Sequence, residues 1–224
     1  MLRSAVVAYY AAFLDLAGRR CVVVGGGEVA ERKVESLVRA GARVTVIAPA
    51  LTPGLARAAS SGGVEHVARE YRCGDLESAV VVIAATDDPA IQRTVADEGA
   101  RRNVLVNVVD VPELSSFIVP AVLERGDLHV AVSTSGAAPA LAARVRDLIA
   151  ADIGPEYGDV ARLLCRIRER LRREGRSFAE RRRILRELAG SDLAVRIGRG
   201  DRAGAARIVA AALGEESASE VFGV

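Results

Sequence analysis

The sequence predicts an α/β fold, namely a Rossmann-like, doubly wound parallel sheet followed by a small α+β segment and a helical C-terminal region. Short apolar runs alternate with helical stretches between residues 20 and 110, and helices that connect neighbouring strands make those strands parallel. Each run is apolar without alternation, which is typical of strands covered on both faces. Beyond residue 155 only helical spacing recurs, and this predicts the final helical region.

The predicted elements follow one another in a regular order. The strands of the sheet are expected at 21–24, 44–47, 64–67, 80–85 and 104–109, and the helices between them at 29–40, 55–60 and 89–101. Asp88, directly before Pro89, predicts the N-cap of the third helix. The later elements are a strand at 128–132, a helix from Pro139 and helical spacing at 163–171, 184–188 and 205–213. We therefore predict three domains, at 1–113, 114–153 and 154–224.

The composition is that of a globular protein. The 224 residues carry a formal net charge of +2, and 27% of them are charged and 50% hydrophobic, which argues against disorder. Cys21, Cys73 and Cys165 are odd in number and scattered, so neither a disulfide framework nor a zinc site is expected, and a reducing cytoplasm is the predicted location. No run approaches the roughly 20 apolar residues that cross a bilayer, so no membrane partner is expected.

A glycine turn follows the first predicted strand. Gly25-Gly26-Gly27-Glu28-Val29-Ala30 matches the GxGxxG/A pattern between an apolar strand and a helix, which is the context that dinucleotide binding requires. Gly25 allows a sharp turn, Gly27 leaves room for a pyrophosphate, and Ala30 lets the helix pack closely on the strand. The helix N-terminus offers amides and partial positive charge to that pyrophosphate. We therefore predict a bound dinucleotide; a glycine turn without any phosphate is the alternative.

The carboxylate that commonly binds the adenosine ribose is missing from its usual place. The second strand ends in Ile47-Ala48-Pro49-Ala50, without an acidic residue and without an arginine for a 2′-phosphate. Backbone groups of Pro49 and Ala50 are the candidate ribose contacts, and the choice between NAD and NADP stays open. Ligands bind where parallel strands end, so Thr86 after the fourth strand and the segment Asn107 to Asp110 around the end of the fifth are expected at the site.

Four motifs, in the same order along the chain, resemble a known family. They are VGGGEVAERK at 24–33, AATDDP at 84–89, NVVD at 107–110 with PEL at 112–114 and Phe117-Ile118, and VAVSTSG at 130–136 with Pro139. Together they resemble precorrin-2 dehydrogenase, a module that also forms the N-terminal part of siroheme synthase. The resemblance covers residues 10–150, and the helical C-terminal third matches less distinctly.

The resemblance implies a reaction, a cofactor and an assembly. The reaction is the NAD-dependent oxidation of precorrin-2, a tetrapyrrole, to sirohydrochlorin in siroheme or cobalamin biosynthesis. The assembly is a homodimer in which the domain at 114–153 serves dimerisation and helps to form the substrate cleft. The implied cofactor contacts are Glu28, Val29, Pro49 and Ala50, and the implied catalytic aspartate is Asp110. Some members of the family also insert ferrous iron as a second activity.

A single carboxylate suits such a dehydrogenation. The reaction removes a hydride and a proton, so one base beside the cofactor is enough, and Asp110 is the candidate. A turn residue is the alternative reading of Asp110, since Asp is common in turns. His66 and His129 lie far apart and no cluster has metal-site spacing, so no resident metal is predicted and ferrochelatase activity stays open. The alternative function is an NAD-binding regulatory domain without catalysis, which does not require the segment Asn107 to Asp110.

Arginine is concentrated near the C-terminus. Between Arg162 and Arg186 there are 11 arginines against three glutamates. A solvated helix face whose arginine stems cover apolar surface is one explanation. A positive field that attracts a polycarboxylate substrate is a second. Nucleic acid is a third, but interleaved aromatic residues and a binding motif are missing, so no nucleic-acid partner is expected.

Overall fold

The computed structural model describes residues 9–215 and residue 220, and the chain divides into two compact units between Val119 and Pro120. The first unit holds the parallel sheet, and the second holds a hairpin and the C-terminal helices. The division into three domains at 113 and 153 stays a prediction.

The first unit is a five-stranded parallel sheet with helical connections. Its strands are β1 (Arg20–Val24), β2 (Arg43–Ile47), β3 (Glu65–Val67), β4 (Val81–Ala84) and β5 (Leu105–Val108), and its helices are α1 (Glu28–Arg39), α2 (Pro53–Ser60) and α3 (Pro89–Arg102). All neighbouring strands are parallel and their order is β3-β2-β1-β4-β5. The order reverses between β1 and β4, and this confirms the doubly wound sheet that the sequence predicts.

Each face of the sheet has its own apolar core, because successive side chains of a strand point to opposite faces. Val22 and Val24 of β1 belong to the cluster that contains Val95 of α3. Cys21 and Val23 belong to the other cluster, which is built on α1 and α2 and includes the following buried residues: Ala30, Val34, Leu37 and Leu55. Burial on both faces explains why the strands are continuous apolar runs.

Helix α3 begins and ends as its sequence predicts. The Asp88 carboxylate accepts hydrogen bonds from the backbone amides of Ala90 at 2.8 Å and Ile91 at 3.3 Å. At the other end Asn103 has φ 56°, a left-handed conformation that Asn tolerates better than most residues. The N-cap predicted at Asp88 is confirmed.

A buried carboxylate ties α3 to the segment that follows β3. Glu98 is 1% exposed, and it accepts hydrogen bonds from the Tyr71 hydroxyl at 2.6 Å and from the Gly74 amide at 2.9 Å. Its other oxygen lies 2.7 Å from Nε of Arg102. Burial acts to raise the pKa of Glu98, but these hydrogen bonds outweigh it and the pKa lies below its usual value. Burial and the bond to Glu98 raise the pKa of Tyr71.

In the second unit, the residues that the structure describes form one antiparallel hairpin and five helices. The strands are β6 (Ala121–Arg125) and β7 (Leu128–Val132), and the helices are α4 (Pro139–Asp152), α5 (Glu156–Arg173), α6 (Phe178–Ala189), α7 (Leu193–Gly198) and α8 (Arg202–Leu213). Helix α4 packs on the hairpin, and a separate apolar core joins α5 to α8. The expected α+β segment and helical region are both present, while β6 and α7 are elements that the sequence analysis did not predict.

The arginines of residues 162–186 lie on α5, on α6 and on the connection between these helices. The opposite face of α5 is apolar and buried, and consists of Leu163, Ile167 and Leu171. Several arginines form ion pairs at the surface, among them Arg170 with Glu174 at 2.7 Å and Arg183 with Glu187 at 3.4 Å. Such exposed pairs add little to stability, and the three explanations of the arginine excess stay open.

Two further properties concern the hydropathy of the helices and the state of the cysteines. Within residues 9–215 and at residue 220, no helix is both long enough and apolar enough to span a membrane. Cys21 is buried and Cys73 and Cys165 are exposed, and all three are free thiols.

Replacing Glu98 tests the importance of the buried carboxylate. We expect Glu98→Ala to lower the free energy of unfolding by about 2 to 4 kcal/mol at pH 7, because the Tyr71 hydroxyl and the Gly74 amide lose their partner. The pKa of Glu98 is depressed, so its contribution is complete above the usual carboxylate range and is lost as the pH falls through the lowered value. Urea unfolding at several pH values measures both effects.

The neighbouring Asp97 provides a matched control, because it is exposed on the same helix. Asp97→Ala should change the free energy of unfolding by less than about 0.5 kcal/mol. Equal losses for the two variants would contradict a special role for Glu98.

Candidate functional site

The glycine turn after β1 leaves no room for side chains at two of its positions. Gly25 has φ 120°, and a Cβ atom there would lie 2.1 Å from the carbonyl oxygen of Ala85. A Cβ atom on Gly26 would lie 1.9 Å from the carbonyl oxygen of Ala50. The turn therefore packs directly against the backbone that follows β4 on one side and β2 on the other. Only glycine permits both contacts.

Hydrogen bonds attach the loop after β2 to this turn. The Gly25 amide donates to the carbonyl of Ile47 at 2.9 Å, and the Thr52 amide donates to the carbonyl of Gly26 at 2.9 Å. The Thr52 hydroxyl also donates to the carboxylate of Glu31 on α1 at 2.5 Å, and it caps α2 by accepting from the Leu55 amide. Pro49 and Ala50 are thereby held beside the glycines.

A hollow of about 600 Å³ opens at the carboxyl ends of the strands. Its lining residues come from the ends of β1, β2 and β4, from the segment after β3 and from α3, and they are Val24–Gly27, Ile47–Thr52, Glu70, Tyr71, Ala85–Asp87 and Ile91. Six residues predicted from the sequence are thus brought together: Gly25, Gly26, Gly27, Pro49, Ala50 and Thr86. Four others, Glu28, Val29, Asn107 and Asp110, are not among the lining residues.

The start of α1 suits an anion. Gly27 is the N-cap and supplies no side chain to the amides of the first turn, and a Cβ atom on Gly27 would meet no atom within 4 Å. Glu28 and Val29 form the first helical positions, with Glu28 exposed. Unpaired amides and the helix dipole attract negative charge to such a terminus. The open space beside Gly27, between two crowded glycines and the helix, fits the pyrophosphate of a dinucleotide.

Asn107 has a backbone partner. It lies on β5, half-buried, and its side-chain amide donates to the carbonyl of Phe117 at 3.1 Å. This bond holds the segment around Phe117 beside β5, which is an edge strand of the sheet. The predicted contact of Asn107 with a cofactor stays a prediction.

Asp110 lies two residues beyond β5, at the carboxyl ends of the strands, where the hollow also lies. It is exposed and has φ 60°, so its backbone is in the left-handed region. The flanking chain holds it: the hydroxyls of Ser115 and Ser116 accept hydrogen bonds from the amides of Val108 at 2.9 Å and Val106 at 2.8 Å. Asp110 therefore stands at the tip of a loop whose two ends are both attached to β5.

A lysine on α1 interacts electrostatically with this aspartate. Burial lowers the pKa of Lys33, the neighbouring Arg32 lowers it further, and Asp110 acts in the opposite direction. Helix α1 and the loop share an apolar cluster, since Val109 packs against the same core as Val34. Lys33 belongs to the motif at 24–33 and was not among the site residues predicted from the sequence.

Several lining residues were missed by sequence reasoning. Glu70 and Tyr71 follow β3, and Leu51 and Thr52 follow β2. The rule that ligands bind at the carboxyl ends of parallel strands covers the third strand as well as the others. The same rule would have found Glu70.

The expectation about metals concerns side-chain clusters. Across the part of the chain that the structure describes, no three His, Cys, Asp or Glu side chains are grouped as a metal ion would require. His66 faces the carbonyl of Ala48 with Nε2 at 2.9 Å. A carbonyl oxygen can only accept, so Nε2 carries the hydrogen.

Comparison with known proteins agrees with this geometry. Residues 12–121 match the family model of an NAD(P)-binding domain, and residues 125–151 match that of the central part of a sirohaem biosynthesis protein. A siroheme synthase of Methylobacillus flagellatus is 46% identical over 175 residues, which are 78% of this chain and 37% of that protein. Siroheme synthase 3 of Aeromonas hydrophila is 39% identical over 212 residues, or 94% of this chain and 45% of that protein.

The chain thus spans less than half the length of these two relatives. A solved structure, SirC, precorrin-2 dehydrogenase, is similar over most of its length: the TM-score is 0.73 and the identity 26%, with 84% of this chain and 92% of that chain covered.

The glycines offer a test that separates folding from binding. Gly26→Ala should lower the free energy of unfolding by about 2 kcal/mol or more, because the new methyl group meets the backbone of Ala50. Gly27→Ala should cost less than about 1 kcal/mol, since its φ of −85° is ordinary and nothing lies nearby, but it should weaken NADH binding at least about tenfold. Thermal unfolding and fluorescence titration measure the two effects, and unchanged NADH affinity in Gly27→Ala would contradict the placement of the pyrophosphate.

Proposed function

The chain belongs to the family formed by precorrin-2 dehydrogenases and the N-terminal part of siroheme synthases, and from this membership we propose that it oxidises precorrin-2 to sirohydrochlorin with NAD. The observation that carries the proposal is the convergence of the glycine turn, the loop at Pro49 and Ala50 and the residue Thr86 on one hollow. Asp110 stands at the same edge of the sheet, where a substrate beside the nicotinamide would be within reach.

The proposed reaction transfers two hydrogens from the substrate. The nicotinamide of NAD supplies the acceptor for a hydride. The remaining proton leaves the macrocycle, and the carboxylate of Asp110 is the group of this chain that we assign to accept it. The amides at the start of α1 and the loop at Pro49 and Ala50 hold the cofactor, while Lys33 on α1 interacts electrostatically with Asp110. The binding residues and the base therefore come from different strand ends of one sheet.

A regulatory domain that binds NAD without catalysis is the other candidate. It accounts for the glycine turn and the hollow, but it needs neither a carboxylate at the tip of the loop after β5 nor a second unit. The loop is well secured at both ends, and a second unit follows it. These features support the enzyme.

We also propose that the chain forms a homodimer through its second unit. Leu141 and Leu148 are 55% and 51% exposed on α4, and seven residues of separation place them on one face of the helix. Within the described residues β6 pairs only with β7, so both strands of the hairpin have an open edge. An apolar helix face beside open strand edges supports association with a second copy, which would also help to cover the substrate.

Insertion of ferrous iron is a further activity of some family members, and we propose it here only as a candidate. Iron would be a substrate, delivered to sirohydrochlorin, and would not require a resident site. Incubating the chain with sirohydrochlorin and ferrous iron, without NAD, and following siroheme formation against the spontaneous rate separates this activity from dehydrogenation.

We propose a reducing cytoplasm as the location. Two of the three free cysteines, Cys73 and Cys165, are exposed, and exposed thiols persist where disulfides are kept reduced. Expressing a tagged chain in cells and measuring which subcellular fraction contains it tests this location.

Replacing Asp110 tests the proposed base. Asn tolerates the left-handed backbone nearly as well as Asp, so Asp110→Asn keeps the fold while removing the proton acceptor. Turnover of precorrin-2 under anaerobic conditions should fall by roughly 10²- to 10⁴-fold, and NADH affinity should stay nearly unchanged. The pKa of Lys33 should fall further, because the carboxylate that raises it is gone; NMR titration of labelled lysine measures this shift.

Glu113→Gln is the control for this variant, since Glu113 is exposed three residues further along the same loop. It should retain full turnover. An active Asp110→Asn variant would remove Asp110 from the mechanism, and inactivity of the unaltered chain with both NAD and NADP would favour the regulatory domain.

The dimer is tested on α4. Leu141→Glu together with Leu148→Glu should shift sedimentation towards the monomer, because charged groups cannot be buried at an apolar interface without cost. Val195→Glu on α7 is the control, since Val195 is similarly exposed at 49%. Identical sedimentation of both variants and the unaltered chain would place any interface elsewhere.

A further inference from the structure

The two halves of a dinucleotide meet different strand ends. With the pyrophosphate at α1, which follows β1, the adenosine extends over β2 and β3 and the nicotinamide over β4 and β5. The adenosine side of the hollow therefore contains Pro49, Ala50, Glu70 and Tyr71. The end of β2 has no carboxylate for the ribose, and Glu70 is the acidic residue on this side.

We propose that Glu70 takes over the role of the missing carboxylate, accepting hydrogen bonds from the adenosine ribose and excluding a 2′-phosphate, so that the hollow selects NAD against NADP. The inference rests on the proposed function in one respect only, namely that the hollow binds a dinucleotide. A carboxylate can accept from both ribose hydroxyls, whereas a phosphate of the same sign beside it is repelled.

The arginine that precedes Glu70 in the chain is already paired. Arg69 precedes Glu70, and its two terminal nitrogens donate to the two oxygens of Asp75 at 2.8 and 2.7 Å. The hydrogen bond from Arg69 is the main cause that lowers the pKa of Asp75, which also accepts from the Arg72 amide at 2.8 Å. A guanidinium held in this two-bond pair does not turn towards a phosphate without breaking it. Arg69 is therefore engaged with Asp75 and is not among the described residues that line the hollow.

Both sequence neighbours of Glu70, Arg69 and Tyr71, are held by hydrogen bonds. Arg69 donates to the carbonyl of Glu70 at 2.9 Å, and the hydroxyl of Tyr71 is bound to the buried Glu98 at 2.6 Å. The backbone at Glu70 is therefore fixed on both sides. A fixed backbone keeps the carboxylate near the ribose and limits its ability to retreat from a second negative charge.

The remaining lining adds no positive charge. Among the described residues that line the hollow there is no Lys or Arg, and Asp87 is a second carboxylate. His66, beneath the loop, already donates its Nε2 hydrogen to Ala48. The balance of charge in the hollow thus opposes the two additional negative charges of a 2′-phosphate.

The experiment compares the two reduced cofactors on the full chain by fluorescence titration, without substrate. The unaltered chain should bind NADH at least about tenfold more tightly than NADPH. Glu70→Gln should reduce this ratio to about threefold or less, mainly through tighter NADPH binding. Asp75→Asn, which releases Arg69, should also tighten NADPH binding. Glu77→Gln, an exposed acidic residue outside the hollow, should leave the ratio unchanged.

Equal affinity for NADH and NADPH in the unaltered chain, or the same ratio in Glu70→Gln, overturns the role of Glu70 and leaves dinucleotide binding intact. Absence of binding for both cofactors overturns the proposed function and this inference together. Because no outcome depends on turnover, the result is independent of whether Asp110 is the base.

Discussion

The close approach of three backbone segments at the end of β1 is the constraint on which the site depends. Gly25 lies against the carbonyl of Ala85 and Gly26 against that of Ala50, at distances where any side chain would overlap the backbone. These contacts bring the ends of β2 and β4 to the start of α1. The hollow, the amides that face it and the loop at Pro49 and Ala50 are all consequences of that packing. Gly27, by contrast, lies beside open space, so the packing of the backbone does not require a glycine there.

Different charged groups lie after β3 and after β5, at the two ends of the row of strand ends. On the adenosine side, buried and paired groups fix the segment after β3: Glu98 holds Tyr71, and Asp75 holds Arg69. These pairs leave Glu70 as the group that a ligand would meet. At the β5 end, burial lowers the pKa of Lys33 on α1, and Asp110 acts electrostatically against that shift. The two roles proposed above, cofactor selection by Glu70 and proton acceptance by Asp110, therefore both fall to a carboxylate.

The sheet could be predicted from the sequence because strands that are buried on both faces consist of continuous apolar residues. The glycine turn could be placed because it directly follows such a strand. The strand β6 was missed although Gly126-Asp127, a typical two-residue hairpin turn, joins it to β7; Gly126 has φ 57°. Charged residues in β6 hide its pattern. The exposure of Leu141 and Leu148 could not be predicted either, because helical spacing does not tell which side of a helix is covered.

The position of β5 at the side of the sheet explains why the backbone of Asp110 can adopt a strained left-handed conformation. Within the described residues no sixth strand pairs with β5, so its outward amides need other partners, and the hydroxyls of Ser115 and Ser116 supply them. The chain must turn back sharply after β5 to bring these serines into place, and a left-handed residue at Asp110 makes that turn. The left-handed conformation costs on the order of 1 kcal/mol, which the serine bonds and the Asn107 bond to Phe117 offset. Closing the edge of the sheet and presenting the carboxylate are therefore two results of one loop.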